Sequence, residues 1–396
     1  QKDLQMRFEL IPLDEPGRHE SAQQAGRTAV KEIAAQTDQL RSQWHRHSRS
    51  QGDLGNEATG NLKQQAPEHN LSEALAELDG LIGLATIKQE VRSLVNFLQM
   101  QKERHKLNLP QTPIGLHSVF TGNPGTGKTT VARLLGRILG AMGILVKGHL
   151  IETDRSGLVA EYSGQTGPKT NQRIDQALDG VLFIDEAYSL VAETGDDPYG
   201  AEAVQALLKR MEDDRARLVI ILAGYPSPME QLLTTNPGFS SRFNRTIHFP
   251  DYTASELGSI FEALCRKSTY ELPLLTRVKL LLGFQYLLER RDEHFGNGRL
   301  ARNVFERGIG QLANRIAGVA PLTREMLTLL LPDDIVMEGV PENVWDNLAS
   351  ERRRFRAPCP GCQQSCTLPQ SFLGRTVKCQ RCQRQFCVDW AEIETT

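Results

Sequence analysis

Short apolar runs alternate with amphipathic helical stretches between residues 117 and 249 of this 396-residue chain. The stretch after the first run places apolar residues at helical spacing, at Val131, Leu134, Leu135 and Ile138. Strands that are apolar throughout and separated by helices are typical of a parallel sheet covered on both faces. The pattern therefore predicts an α/β domain built on a five-stranded parallel sheet. Its predicted strands cover residues 117–121, 149–153, 181–186, 218–225 and 246–249.

The segments on either side of the predicted sheet have different patterns. Residues 48–70 are rich in Gly, Asn, Gln and Ser, which is typical of a linker. A long amphipathic helix is predicted over residues 85–106, directly before the sheet. Residues 254–332 show helical periodicity without a strand-like run, which predicts a small helical domain after the α/β domain.

Composition and cysteine placement narrow the classes of function. The formal net charge is −2, so the chain as a whole lacks the basic excess of a polyanion-binding protein. No uninterrupted apolar run approaches the roughly 18 residues of a membrane span, so we expect no membrane insertion. Six of the seven cysteines lie between residues 359 and 387, which favours a metal site in a reducing compartment over a disulfide scaffold. We therefore expect a cytoplasmic protein.

The loop between the first predicted strand and the following helix carries phosphate-binding chemistry. It matches G-x-x-x-x-G-K-[ST], whose glycines allow a close backbone approach to a polyphosphate at a helix N-terminus. We expect Lys128 to contact the β- and γ-phosphates and Thr129 to hold Mg²⁺. The residues predicted to bind the nucleotide here are Gly122, Asn123, Pro124, Gly125, Thr126, Gly127, Lys128, Thr129 and Thr130.

Two carboxylates follow the third predicted strand. Asp185 and Glu186 end an apolar run, so the strand delivers them to the carboxyl edge of the sheet, where ligands bind in parallel sheets. Asp185 is suited to hold Mg²⁺, directly or through water. Glu186 is suited to polarise the attacking water as a general base. Together with the phosphate-binding loop, this pair predicts nucleotide hydrolysis.

A cysteine pattern near the C-terminus predicts a zinc site. Cys359 with Cys362 and Cys379 with Cys382 form C-x₂-C-x₁₆-C-x₂-C. Each pair can make a tight turn whose amides stabilise thiolates, and two such turns close a tetrahedral Zn²⁺ site. The segment looks like a zinc ribbon, and we expect it to need the metal to fold because it has few apolar residues. The roles of Cys366 and Cys387 are left open, with packed or free thiols favoured.

The charge of the tail bears on what the ribbon binds. Residues 351–396 contain eight Lys or Arg and four Asp or Glu, a net charge of +4. Four thiolates around Zn²⁺ lower this to about +2. Half of the basic residues belong to the arginine run at residues 352–356. This footprint is weak for nucleic acid, so we favour a protein-docking module and keep nucleic acid as an alternative.

With these motifs, the chain resembles AAA+ ATPases, and more narrowly the subgroup that includes the red-type Rubisco activase CbbX, the sporulation protein SpoVK and type VII secretion ATPase domains. The resemblance covers about residues 71–331. The segments that carry it are residues 122–130, 158–170, 181–190, 206–226, 236–252 and 296–315.

The resemblance implies roles that the residues alone do not establish. Arg242 matches an arginine finger that reaches the neighbouring subunit's γ-phosphate, with Arg245 as a second candidate. Arg299 matches an arginine that a helical lid brings onto the nucleotide. Many AAA+ proteins carry a polar residue after the fourth strand to position the lytic water; here Tyr225 is a weak candidate. The residues that match a substrate-gripping pore loop are Tyr162, Ser163 and Gly164.

A pore loop and a trans-acting arginine both imply a homo-oligomer, and we expect a hexamer. The expected activity is hydrolysis of ATP, with Mg²⁺, to remodel or thread a client protein that the sequence does not identify. The alternatives are a nucleotide-dependent switch or assembly factor that binds nucleic acid through the ribbon, and a Rubisco activase. The expected domains are a partly disordered extension and linker (1–70), the ATP-binding α/β subdomain (71–252), the helical lid (253–335), a linker (336–356) and the zinc ribbon (357–390).

Overall fold

A computed structural model describes residues 9–10, 70–110, 115–162, 164–191, 197–350 and 352–394 of the chain. Apart from a two-residue strand at Glu9–Leu10, the predictions for residues 1–69 lie outside the described residues, as does the one for Ser163. Among the helices that are described, none combines the length and apolar character that a membrane crossing requires.

A five-stranded, all-parallel sheet forms the centre of the first domain, as the hydrophobic pattern predicts. The strand order across the sheet is β2-β3-β4-β1-β5. The strands are β1 (Ser118–Thr121), β2 (Leu150–Thr153), β3 (Gly180–Ile184), β4 (Leu218–Gly224) and β5 (Thr246–His248). Because all five strands run in one direction, the loops after β1, β3 and β4 lie at the same edge of the sheet.

Helices cover both faces of this sheet, because its central strands carry apolar side chains on both sides. In β3, Val181 and Phe183 face one apolar cluster, whereas Leu182 and Ile184 face the other, as the two-residue period of a strand requires. The helices of this domain are α1 (Leu71–Gly80), α2 (Ala85–Lys106), α3 (Lys128–Ala141), α4 (Arg155–Leu158), α5 (Thr166–Ala177), α6 (Pro198–Asp213), α7 (Pro226–Thr235) and α8 (Pro237–Arg242).

A helical lid follows the sheet, as expected. It contains α9 (Ala254–Lys267), α10 (Leu274–Glu289), α11 (Asn297–Ile316) and the short α12 (Arg324–Thr328). Helix α9 begins with a capping box: the Thr253 hydroxyl accepts from the Glu256 N–H at 3.2 Å, and the Glu256 carboxylate accepts from the Thr253 N–H at 2.9 Å.

The segment expected to be a linker, residues 336–356, is instead packed against the lid. Met337, Val340 and Trp345 are buried, and the Trp345 indole N–H donates to the Lys279 carbonyl at 3.2 Å. Its apolar side chains explain the difference, because a flexible linker has no such surface to bury.

The C-terminal segment folds into short antiparallel strands. These are β6 (Arg354–Pro358), β7 (Ser365–Pro369), β8 (Thr376–Lys378), β9 (Gln385–Cys387) and β10 (Glu392–Ile393). Strand β6 pairs with both β7 and β10, and β8 pairs with β9. Phe355 and Val377 belong to the same apolar cluster as the lid helices, so the ribbon is packed on the lid.

Candidate active site and cysteine cluster

The phosphate-binding loop runs from the end of β1 into α3 and takes conformations that favour glycine. Gly122, Gly125 and Gly127 have φ values of 147°, 72° and 97°. A Cβ atom on Gly122 would collide with the carbonyl oxygen of Phe249, and one on Gly125 with that of Gly296. The loop can therefore lie close to both the residue after β5 and the lid, at the N-terminus of α3, where backbone N–H groups suit an anion.

Lys128 lies inside this loop. Its Nζ donates to the carbonyl oxygens of Gly122 at 2.7 Å and Asn123 at 2.9 Å. Burial lowers the pKa of Lys128, and the nearby charge of Asp185 opposes that effect. The ammonium is thus held at the floor of the cleft beside the carboxylate that follows β3.

A cleft of about 460 Å³ brings most of the predicted residues together. Its walls come from the phosphate-binding loop, the ends of β3 and β4, and the lid. The lining residues are Gly122, Pro124, Gly125, Gly127, Lys128, Thr129, Thr130, Asp185, Glu186, Gly224, Tyr225, Tyr252, Ile260, Gly298, Arg299 and Arg302. Asn123 and Thr126 lie in the same loop, and the Thr126 hydroxyl donates to the Asn123 carbonyl at 2.8 Å.

The two carboxylates occupy different backbone environments. The Asp185 N–H donates to the Thr153 carbonyl at 2.8 Å, which continues the pairing of β2 with β3. Glu186 has a φ of 48°, in the left-handed region that few non-glycine residues adopt. Its N–H donates to Asp185 Oδ1 at 3.1 Å. Glu186 lines the cleft and is exposed, so solvent water can reach it there.

Two tyrosines stand beside Glu186. The rings of Tyr188 and Tyr225 are 6.0 Å apart, and Tyr225 meets His294 of the lid edge-on at 5.4 Å. Burial and the charge of Glu186 raise the pKa of Tyr188 to about 12. Both phenols therefore stay protonated and available as hydrogen-bond donors at neutral pH. Tyr225 lies in the cleft, but the described residues make no polar contact with it that assigns it the role of positioning water.

The lid supplies the roof of the cleft. Arg299 and Arg302 lie one helical turn apart on α11, so both guanidinium groups can face the same anion. The Gly298 N–H donates to the Gly125 carbonyl at 3.1 Å, which joins the lid directly to the phosphate-binding loop.

Tyr252 and Ile260 form an apolar wall of the cleft, and sequence reasoning missed both. The Tyr252 hydroxyl donates to the Thr126 carbonyl at 3.2 Å. Arg302 was missed as well. Its place one turn after Arg299 on a predicted helix was the signal that could have identified it.

Three residues that the resemblance singles out are not part of this cleft. Arg242 is half-buried at the end of α8, and its Nη1 donates to the Gly238 carbonyl at 3.3 Å. Within the described part of the chain, its buried Nε has no hydrogen-bond partner. Arg245 is half-buried just before β5. Tyr162 is 67% exposed, and Gly164 beside it has a φ of 76°.

The four cysteines of the C-terminal pattern converge. Their sulfur atoms all lie within 4.8 Å of one another, with 3.5 Å between Cys359 and Cys382 and 3.8 Å between Cys362 and Cys379. Four thiolates about 2.3 Å from a tetrahedral Zn²⁺ lie at such separations, so the donor set fits zinc. Burial opposes ionisation of Cys359, but N–H groups of Cys362 and Gly361 outweigh it and lower its pKa to about 6.

The remaining two tail cysteines lie outside this cluster of four. Cys366 is buried. Cys387 is exposed, and its Sγ donates to Asp389 Oδ1 at 3.0 Å. Neither is among the four sulfur atoms that converge.

The fold and the cleft define a nucleotide hydrolase with a lid, and comparison with known proteins gives its family. Residues 118–251 match the ATPase family associated with various cellular activities (AAA), and residues 253–343 match the AAA lid domain. The chain belongs to the AAA ATPase family. It is therefore an ATPase, with Mg²⁺ as the metal that accompanies ATP.

The relatives that it resembles lie in the CbbX-like subgroup. The chain is 42% identical to the chloroplastic ribulose bisphosphate carboxylase/oxygenase activase of Cyanidioschyzon merolae, over 70% of this chain and 95% of that protein. It is 39% identical to protein CbbX of Cereibacter sphaeroides, over 75% and 95% of the two chains. Stage V sporulation protein K of Bacillus subtilis is 38% identical, over 70% and 86%. The resemblance found in the sequence is confirmed.

Proposed function

We propose that this ATPase works as a ring of six subunits that remodels or threads a client protein. The observation that carries the proposal is the separation of its functional residues. Lys128, Asp185, Glu186 and Arg299 line one cleft, whereas Arg242 and Tyr162 lie outside it. An arginine that cannot serve its own cleft can serve that of a neighbour, and such a trans arginine contributes about 10³–10⁵ in rate.

Tyr162 supports the threading part of the proposal. The Tyr162 side chain is 67% exposed, although large aromatic side chains favour burial. Gly164, two residues later, has a positive φ that allows the loop to turn sharply. An exposed aromatic ring beside such a turn can contact an extended peptide through its side chains without requiring a particular sequence.

Zinc in the four-cysteine cluster is part of this proposal. Bound there, Zn²⁺ would supply a structural cross-link between the turn at Cys359 and Cys362 and the turn at Cys379 and Cys382. The charge pattern of the ribbon favours protein over nucleic acid as the molecule that it docks, because only about two net positive charges remain after zinc binding. Salt-dependent binding of DNA by the intact protein would favour the nucleic-acid alternative instead.

The packing of the ribbon suggests how a docked client would experience ATP turnover. On α9, Ile260 lines the cleft while Gly258 contacts Trp390 of the ribbon so closely that a Cβ would overlap the indole. Helix α9 therefore borders the nucleotide cleft on one side and the ribbon on the other. A client that is held by the ribbon would move with the lid.

Two measurements test the ring and the pore. Sedimentation velocity of Glu186→Gln with Mg-ATP should show a hexamer, and a monomer under all nucleotide conditions would contradict the proposal. For the pore, a photo-cross-linking amino acid at position 162 in the Glu186→Gln background should capture protein in a cell extract with ATP and much less with ADP. The same amino acid at Met100, which is 47% exposed on α2, is the control. Equal capture from both positions would contradict a pore role.

A Rubisco client is a second candidate, because one relative is named as a Rubisco activase. The two matched family models end at residue 343, before the ribbon. Reactivation of sugar-phosphate-inhibited red-type Rubisco by the full chain with ATP would support Rubisco as the client. If a preparation that hydrolyses ATP does not reactivate it, Rubisco is excluded as the client.

A further inference from the structure

One carboxylate, that of Asp251, joins the two sides of the nucleotide cleft. Its Oδ1 accepts from Asn123 Nδ2 at 2.9 Å and from Asn297 Nδ2 at 2.7 Å. Its Oδ2 pairs with Arg291 Nε at 3.0 Å. Asn123 belongs to the phosphate-binding loop, whereas Arg291 and Asn297 belong to the lid. The Asp251 side chain is only 16% exposed, so water competes weakly for these bonds.

Asn297, the lid partner of Asp251, is itself tightly constrained. It is fully buried and has a φ of 47° at the first position of α11. Its Oδ1 accepts from the Tyr252 N–H at 2.9 Å, and its Nδ2 also donates to the Phe295 carbonyl at 3.0 Å. These two bonds and the one to Asp251 hold a side chain that solvent does not reach, so its placement fixes where α11 begins.

The start of α11 controls the arginines of the cleft. Arg299 is two residues after Asn297, and the Gly298 N–H between them bonds the Gly125 carbonyl at 3.1 Å. A shift of Asn297 would move Gly298 and Arg299 together. An error of about 1 Å in the position of a group in a catalytic site can cost about a hundredfold in rate.

We propose that Asp251 is a positioning residue for ATP hydrolysis, which fastens the lid segment 291–299 to the phosphate-binding loop through Asn123. Asp251 is not among the residues that line the cleft, so it acts through Asn297 on Arg299. The carboxylate is required because it offers two acceptor oxygens to three donors. An Asn at this position has one acceptor oxygen and turns an NH₂ group towards at least one of those donors.

The test compares Asp251→Asn with Asp179→Asn in the full chain. Asp179 is 12% exposed in its side chain, forms a two-pronged pair with Arg217, and lies before β3 at the opposite edge of the sheet. Asp251→Asn should lower kcat at least tenfold while changing the Kd for a fluorescent ATP analogue less than threefold. Asp179→Asn should leave kcat within twofold.

Hydrogen exchange separates positioning from a general loss of stability. In Asp251→Asn, the N–H groups of Tyr252 and Gly298 should exchange at least tenfold faster, whereas those of β3 should keep their wild-type rates. The double variant Asp251→Asn with Arg291→Gln, which replaces the clashing donor with an amide, should recover part of kcat. Unchanged kcat and exchange in Asp251→Asn would overturn the proposal, as would faster exchange spread equally through β3.

Discussion

Arg277 should be the side chain whose loss most weakens the attachment of the ribbon to the lid. Its Nη2 and Nη1 contact the two oxygens of Glu262 at 2.8 and 3.0 Å, and Nη1 also donates to the Asp389 carbonyl at 3.2 Å. Both charged residues are buried, at 9% and 8% exposure. The Trp390 indole N–H donates to Glu262 at 2.7 Å, so three elements share one carboxylate.

The loss of stability expected for Arg277→Met follows from the buried charge of Glu262, which the substitution leaves without its main partner. Burial alone would raise the pKa of Glu262, but its hydrogen bonds and charge pairing with Arg277 outweigh burial and lower it. Removing one partner of a buried pair costs about 3–5 kcal/mol because the other charge remains buried. Glu262 would keep Arg266 at 3.0 Å and Trp390, so we expect the lower end, about 3 kcal/mol.

Two matched variants isolate this effect. Arg266→Met makes the same change at a side chain that is 66% exposed and pairs with the same Glu262, so it should cost less than about 1 kcal/mol. The double variant Arg277→Met with Glu262→Gln removes both charges and keeps an acceptor for Trp390. It should therefore recover more than half of the loss.

Urea unfolding followed by tryptophan fluorescence should measure these differences, because Trp390 lies at the contact with the lid and its emission should change when that contact is lost. The explanation is refuted if Arg277→Met shifts the unfolding transition no more than Arg266→Met does. It also fails if the double variant is as unstable as Arg277→Met alone.

Two further predictions concern the same part of the chain. Because the folded protein lowers the pKa of Glu262, the pairing of Glu262 stabilises the protein fully above about pH 4.5 and is lost as the pH falls through the lower folded-state value. In urea titrations, the difference in stability between wild type and Arg277→Met should therefore narrow below about pH 4.5. A difference that widens in acid would contradict this. Metal analysis should find about one zinc per chain in wild type and in Cys387→Ser but at least tenfold less in Cys382→Ser, with loss of ribbon structure on chelation, and equal zinc in the two variants would contradict the four-cysteine site.

The order of strands and helices was predictable because each one carries its own local pattern. The buried strands are continuous apolar runs, and the helices have regular apolar faces, so the five-stranded sheet and the lid agree with the expectation. Lys128, Asp185 and Glu186 were found for a related reason. Each directly follows or begins such an element at the carboxyl edge of a parallel sheet.

Contacts between distant segments had no such local signal. Trp390 contacts Gly258 and Glu262, which lie more than 120 residues earlier in the sequence, and no periodicity in either segment predicts that contact. The packing of residues 336–356 was easier to predict from the sequence, because large apolar residues such as Trp345 and Met337 do not suit a linker. Asp251 follows β5 at the ligand edge of the sheet, so the rule that identified Asp185 could have identified it too.

The most direct test of a site shared between subunits mixes two inactive proteins. Glu186→Gln removes the proposed general base and Arg242→Ala removes the proposed trans arginine, so each alone should lose at least about a hundredfold in ATP turnover. In random 1:1 rings, about a quarter of the interfaces pair an intact Glu186 with an intact Arg242 from the neighbouring subunit. If the site is shared between subunits, mixing should restore turnover towards that fraction of the wild-type rate. Turnover that stays at the average of the two separate variants at every mixing ratio would contradict it.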